Sequence, residues 1–160
     1  MTVRIGDPVP DVPVQTLASD GPQPVSLAAL SRTGRLVLFA VPGAFTPACS
    51  ARHLPGFVEH AADFKAKGVA TLACLAVNDA FVMAAWGRSN AVGDRVLMLA
   101  DGNGDFTRAM GLIQDARPYG MGLRSQRYAM VAERGRISHL FVEEPGAFEV
   151  SAAPYVLARI

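Results

Sequence analysis

Two cysteines in 160 residues are too few for a disulfide framework. They fit a reducing compartment, where a cysteine is either core filler or chemistry. Charge of one sign is missing too: 15 Lys+Arg against 14 Asp+Glu leave a formal net charge of +1. That balance removes the electrostatic reason to expect nucleic acid or an anionic membrane surface as partner. Apolar runs such as Leu36 to Val41 fall far short of the ~20 residues needed to cross a bilayer. The stretch Met1 to Pro10 carries no apolar core after its basic residue, so export is not expected and a cytoplasmic location is. Nothing repeats at a fixed period, and no low-complexity linker is present. Charged residues make up 18% beside 51% hydrophobic ones, which excludes disorder as the dominant state.

What is present reads as one α/β domain over residues 1–160. The first 35 residues are rich in turn formers, with Val12, Val14 and Leu17 marking a short edge strand where proline is tolerated. Ser26 to Leu30 reads as a helical turn with Ser26 as N-cap. Leu36 to Val41 is a continuous apolar run, the mark of a strand covered on both faces, and Pro42-Gly43 ends it. Thr46 before Pro47 is an N-cap signature. The helix it opens should run through Phe57, Ala61 and Phe64 to Lys67-Gly68, bent at Pro55-Gly56. The alternation then repeats. Val69 to Val77 is a second buried strand, and Asn78-Asp79 caps a helix through Met83 and Trp86. Val96 to Ala100 is a third strand, followed by a helix from Asp105 to Leu112. Tyr128 to Ala132 and Ile137 to Val142 form a hairpin around Glu133-Arg134-Gly135, necessarily antiparallel. Ala152 to Ile160 closes the chain as a short helix. The sum is a mixed sheet with helices on both faces.

Cys49 stands out by position, three residues after Thr46 and just inside a helix start. Free amide donors and the positive end of the helix dipole favour a thiolate there over a thiol. A thiolate so placed is nucleophilic and readily oxidised. Cys74 differs: its strand neighbours are apolar, and free cysteine is among the most buried residue types, so core packing is its default. Of the histidines, His53 falls one helical turn past Cys49 without a derivable role, His60 reads as exposed and His139 alternates on a strand. No pair of them has a metal-like spacing. Gly102-Asn103-Gly104 is a turn rather than a phosphate loop, so no metal and no nucleotide cofactor is implied.

The string Pro42-Gly43-Ala44-Phe45-Thr46-Pro47-Ala48-Cys49 resembles the active-site motif of peroxiredoxins, Pro-x-x-x-Thr-x-x-Cys. With His53-Leu54-Pro55-Gly56-Phe57, the block Cys74 to Val82 with Trp86, and Arg124-Ser125-Gln126-Arg127-Tyr128, it is similar to the peroxiredoxin-5 or type II branch. The resemblance runs from about Gly6 to the C-terminus and implies a thioredoxin-like fold. It implies an antioxidant thiol peroxidase reducing hydrogen peroxide and alkyl hydroperoxides through a Cys49 sulfenic acid. Cys49 would be the peroxidatic cysteine, with Thr46 donating to the peroxide and Pro42 shielding the thiolate. Arg127 would supply the stabilising cation, with Arg124 as its competitor. Animal-type relatives carry a resolving cysteine near the C-terminus, but Glu149 to Pro154 holds none here and Val150 falls in its place. An outside thiol is therefore expected, glutathione with glutaredoxin ahead of thioredoxin. The resemblance also implies a homodimer with the Pro42 to Phe45 loop and the loops around Gly122 near the contact. A redox sensor or binding protein switched by Cys49 oxidation is the alternative from another class.

Overall fold

The computed structural model describes residues Met1 to Ile160. Its strands are β1 (Val14–Ala18), β2 (Gly21–Val25), β3 (Arg35–Ala40), β4 (Val69–Ala76), β5 (Leu97–Ala100), β6 (Ile113–Asp115), β7 (Leu123–Ser125), β8 (Tyr128–Glu133) and β9 (Arg136–Val142). The α-helices are α1 (Leu27–Thr33), α2 (Leu54–Glu59), α3 (Ala61–Ala66), α4 (Ala80–Ser89), α5 (Asp105–Met110) and α6 (Ala153–Leu157). Seven strands make one sheet in the order β2-β1-β5-β4-β3-β8-β9, and β6 pairs with β7 in a small second one. Strands β3, β4 and β5 run parallel, as strands joined through helices must, while β8 lies antiparallel to β3 and β9 antiparallel to β8. The fold is the thioredoxin-like mixed sheet with helices on both faces.

Strand β3 shows why both faces are apolar. Its alternating side chains split between two cores: Val37, Phe39 and Val41 join Phe57, Phe64 and Trp86. Leu36, Leu38 and Ala40 join Leu27, Phe106 and Tyr128 on the other side. The first core contains both Cys49 and Cys74.

Several elements depart from the sequence expectation. The N-terminal edge is β2, which carries Pro22 and Pro24, whereas β1 lies one strand inward and touches β5. Prolines lack the ladder donor, so they belong on the outermost strand. The long helix after Thr46 is broken into a π-turn (Cys49–His53), α2 and α3. Pro55 has no N–H to give the preceding turn, and Leu54 N reaches back to Cys49 O, five residues away. The irregularity thus precedes Pro55-Gly56 rather than sitting on it. Helix α5 stops at Met110 because Gly111 turns left-handed at φ +70°. Helix α6 is shorter than expected at both ends, and His60 is half-buried beside Asp63 rather than exposed.

Three strand ends meet at one edge of the sheet. Ala40 pairs with Tyr128, and Tyr128 pairs with Val142. The end of β3, the start of β8 and the end of β9 therefore lie side by side, the usual place for a site in such sheets. Arg127 immediately precedes β8, Glu143 immediately follows β9, and the Cys49 turn lies beyond the loop that leaves β3.

Candidate active site

Each part of the site follows from local chain chemistry. Pro42 ends β3 and lines a cleft of about 590 Å³ together with Arg52, Gln126, Arg127 and Phe148. The loop after it contains Phe45 at φ +64°, a left-handed conformation that a bulky residue rarely adopts, with the residue 53% exposed. Thr46 opens the helical segment, since its carbonyl accepts Ser50 N at 2.9 Å. Its hydroxyl does not cap an amide as an N-cap would; it donates to Gly43 O at 2.7 Å. That leaves the hydroxyl's lone pairs free, and the amides of Ala48 and Cys49 take no protein acceptor. A helix start with open amides is a preorganised set of donors for a developing negative charge.

Cys49 is fully buried, and Arg127 Nη2 donates to its Sγ at 3.1 Å. Of the two candidate arginines, Arg127 is the one on the sulfur. Arg124 instead donates to the carbonyls of Met121 at 2.8 Å and Val77 at 3.2 Å, packed against Gly43. The other guanidinium nitrogen of Arg127 faces His53 Nδ1 at 2.8 Å. Burial and then the charge of Arg127 push His53 down to about 3, so the ring is neutral at physiological pH. Phe39, Phe57 and Phe148 surround that ring with centroids 5.0 to 5.6 Å away. Arg127 itself lies 5.8 Å over Phe148.

The sequence placed His53 one turn past Cys49 without a role and gave no role to Ser151 or Glu143. What was missing for His53 was its partners, Arg127 and Ser151, which are far off in sequence; nothing local marks the other two. Cys74 is also fully buried, opposite Phe39 and Met98 in the ladder. Burial, and secondarily the proximity of Cys49, push its thiol well up. Trp86, likewise buried, donates its indole N–H to Ser50 Oγ at 3.0 Å and so ties α4 to the Cys49 turn. A larger cavity of about 950 Å³ between α3, β4 and α4 contains none of these residues.

A buried cysteine sulfur under a fixed cation, on a thioredoxin-like sheet, fits a thiol-based peroxidase. The chain matches the Redoxin family over residues 4–157. It is 48% identical to "Peroxiredoxin-2E-2, chloroplastic" of Oryza sativa subsp. japonica, over 99% of this chain and 73% of that one. Among solved structures, reduced Prx3 of Vibrio vulnificus in complex with H2O2 is 46% identical with a TM-score of 0.94, covering 98% of each chain. Peroxiredoxin 5 of Alvinella pompejana is 35% identical with a TM-score of 0.85, over 98% of this chain and 96% of that one. The chain belongs to the peroxiredoxin family, and it is a thiol-dependent peroxidase.

Proposed function

We propose that this peroxidase reduces hydrogen peroxide and alkyl hydroperoxides through a sulfenic acid on Cys49. The Cys49 thiolate attacks the terminal peroxide oxygen, the O–O bond breaks, and its electron pair leaves on hydroxide or alkoxide. Proton uptake turns the leaving group into water or alcohol, and the sulfur keeps one oxygen as Cys–SOH. Arg127 stabilises the thiolate and the charge that grows on the departing oxygen, as a guanidinium that stays protonated throughout. The free amides of Ala48 and Cys49 donate to the peroxide; the Thr46 hydroxyl, whose proton goes to Gly43 O rather than to the peroxide as expected, accepts from the peroxide O–H, and Pro42 keeps water off the sulfur. The observation that carries this reading is the 3.1 Å contact from Arg127 to Cys49 Sγ.

An external thiol then attacks the sulfenic sulfur and expels water, and a second thiol releases Cys49 from the mixed disulfide. Glutathione with glutaredoxin is the favoured donor, with thioredoxin as the second candidate. The absence of cysteine from Glu149 to Pro154 supports an outside donor, and so does the complete burial of Cys74. The protein works in the cytoplasm as a homodimer; exposed Phe45, Tyr119 and Leu123 support that contact.

Intact mass after one equivalent of hydrogen peroxide, with no thiol added, tests the chemistry. One added oxygen on Cys49 is the expected result. Loss of two hydrogens would mean a Cys49–Cys74 disulfide and a self-resolving cycle. No change within seconds would leave Cys49 an ordinary thiol. Cys49→Ser should abolish peroxide consumption, and Cys74→Ser should leave turnover with an external thiol intact.

A further inference from the structure

Behind Arg127 runs a chain of hydrogen bonds that ends on a carboxylate. Arg127 is a donor only, so His53 Nδ1 accepts from its Nη1 at 2.8 Å and the ring proton sits on Nε2. That Nε2–H donates to Ser151 O at 3.0 Å. Ser151 is in turn gripped by Glu143, whose Oε2 accepts from Ser151 Oγ at 2.6 Å, Ser151 N at 2.9 Å and Glu149 N at 2.7 Å. The loop closes on itself, because Glu143 N donates to Arg127 O at 2.9 Å. Glu143 is 7% exposed and both Ser151 and His53 are fully buried.

We propose that Glu143 is a positioning residue, which clamps Ser151, thereby fixes the His53 ring, and so aims the Arg127 guanidinium at Cys49 Sγ. This deepens the peroxidase reading and rests on it. An arginine side chain has many rotamers, and ordering it costs free energy that something must supply. Here one nitrogen is held by a ring of fixed tautomer, which leaves the other on the sulfur. The segment from Glu144 to Val150 contains no helix or strand, and Gly146 adopts φ +79°. Its tie to the site is the three-bond grip on one carboxylate oxygen. The same segment supplies Phe148, whose ring faces His53 at 5.0 Å and lies 4.8 Å from the Arg52 guanidinium. Releasing the grip frees the carbonyl that orients His53 and the aromatic wall beside it.

A second role for Glu143, as a nearby negative charge, makes the opposite prediction. The titratable groups around Cys49 are Arg127, His53 and the buried Cys74, with Glu143 behind Ser151 and Arg52 outside Phe148. A carboxylate acting through space opposes a thiolate, so its removal would make Cys49 react at lower pH. Removal of a positioning carboxylate makes Cys49 react only at higher pH, because Arg127 loses its aim. Glu143→Gln separates the two roles further: it deletes the charge yet keeps an oxygen acceptor where the three donors converge.

The test is the pH profile of Cys49 alkylation by iodoacetamide, mapped by peptide mass, alongside the rate of oxidation by hydrogen peroxide and a thermal melt. With Glu143→Ala, the alkylation midpoint should rise by about one pH unit, or about tenfold less thiolate below the midpoint. Peroxide oxidation near pH 7 should slow by a similar factor. Glu143→Gln should lie within about threefold of the parent protein, being shifted less than half a unit. Ser151→Ala removes one of the three bonds and keeps the carbonyl; it should move the midpoint up by less than Glu143→Ala, and it decides the matter if that variant does not fold. A downward shift in both Glu143 variants would overturn the proposal in favour of a through-space charge. A lowered melt with an unchanged midpoint would overturn it in favour of a purely structural role. If Cys49 of the parent protein is alkylated like a free thiol, the peroxidase reading beneath it falls instead.

Discussion

In the proposed mechanism the sulfur of Cys49 and the guanidinium of Arg127 form the pair on which the chemistry turns, and the pair is sensitive to geometry as well as charge. Lysine at position 127 would keep the charge but present a point ammonium in place of a planar fork. One nitrogen cannot face Cys49 Sγ and His53 Nδ1 together as Nη2 and Nη1 do. A hydrogen bond involving a charged group is worth about 1.5–3 kcal/mol. Arg127→Lys should therefore slow peroxide oxidation by about ten- to hundredfold in stopped-flow measurements. A rate within twofold of the parent would mean that charge alone suffices. Thr46→Val tests the other side of the peroxide. It keeps the shape and removes the hydroxyl that donates to Gly43 O, so oxidation should slow while Cys49 alkylation stays unchanged. Cys49, Thr46, Pro42 and Arg127 could be named through the resemblance to the peroxiredoxin motif, since position alone singled out only Cys49. Glu143 and Ser151 could not, since their connection to His53 spans 98 positions and passes through a main-chain oxygen.

Among the elements, the π-turn from Cys49 to His53 decides where the sulfur points. An i→i+5 register inserts an extra residue into the helix and rotates the side chains before it. The register is favoured because Pro55 offers no amide to the preceding turn. Pro55→Ala supplies that amide and lets an ordinary helical turn compete. The expected outcome is unchanged or higher thermal stability with slower Cys49 oxidation; unchanged kinetics would show that packing, and not Pro55, holds the turn. Such a feature was hidden in the sequence, where Thr46, Pro47 and Gly68 mark the ends of a helix but nothing marks its internal register. Long apolar runs were legible, as at Leu36 to Val41, because burial on both faces leaves no room for polar residues. Strands β6 and β7 were not, being three residues each and too short for alternation to declare itself.

For the molecule as a whole, the buried His53 couples the site to acid stability. Its value lies near 3 in the folded protein and returns to 6.5 on unfolding. Between those limits the unfolded chain binds the extra proton. Stability is therefore lost as pH falls from 6.5 toward 3, by up to about 1.4 kcal/mol per pH unit. Glu143 acts in the same direction lower on the scale. Burial would raise its carboxyl, but the bonds from Ser151 and Glu149 outweigh that and hold it below its usual 4.5, so its contribution is lost as it is protonated. Denaturant midpoints at pH 7, 6 and 5 should fall progressively, and His53→Gln should flatten that slope. An equal slope in the variant would place the acid sensitivity elsewhere in the chain.

Trp86 is the single tryptophan of the protein, and its indole N–H is held by Ser50, the residue next to Cys49. The chain therefore carries a built-in optical gauge. Any excursion that swings the Cys49 turn outward to meet a reducing thiol has to release Ser50 from the indole and admit water. The emission would move to the red for the lifetime of that excursion and return when the turn refolds. A spectrum that stays fixed throughout a catalytic cycle would mean that the reductant comes to the sulfur, and the sulfur does not go to the reductant.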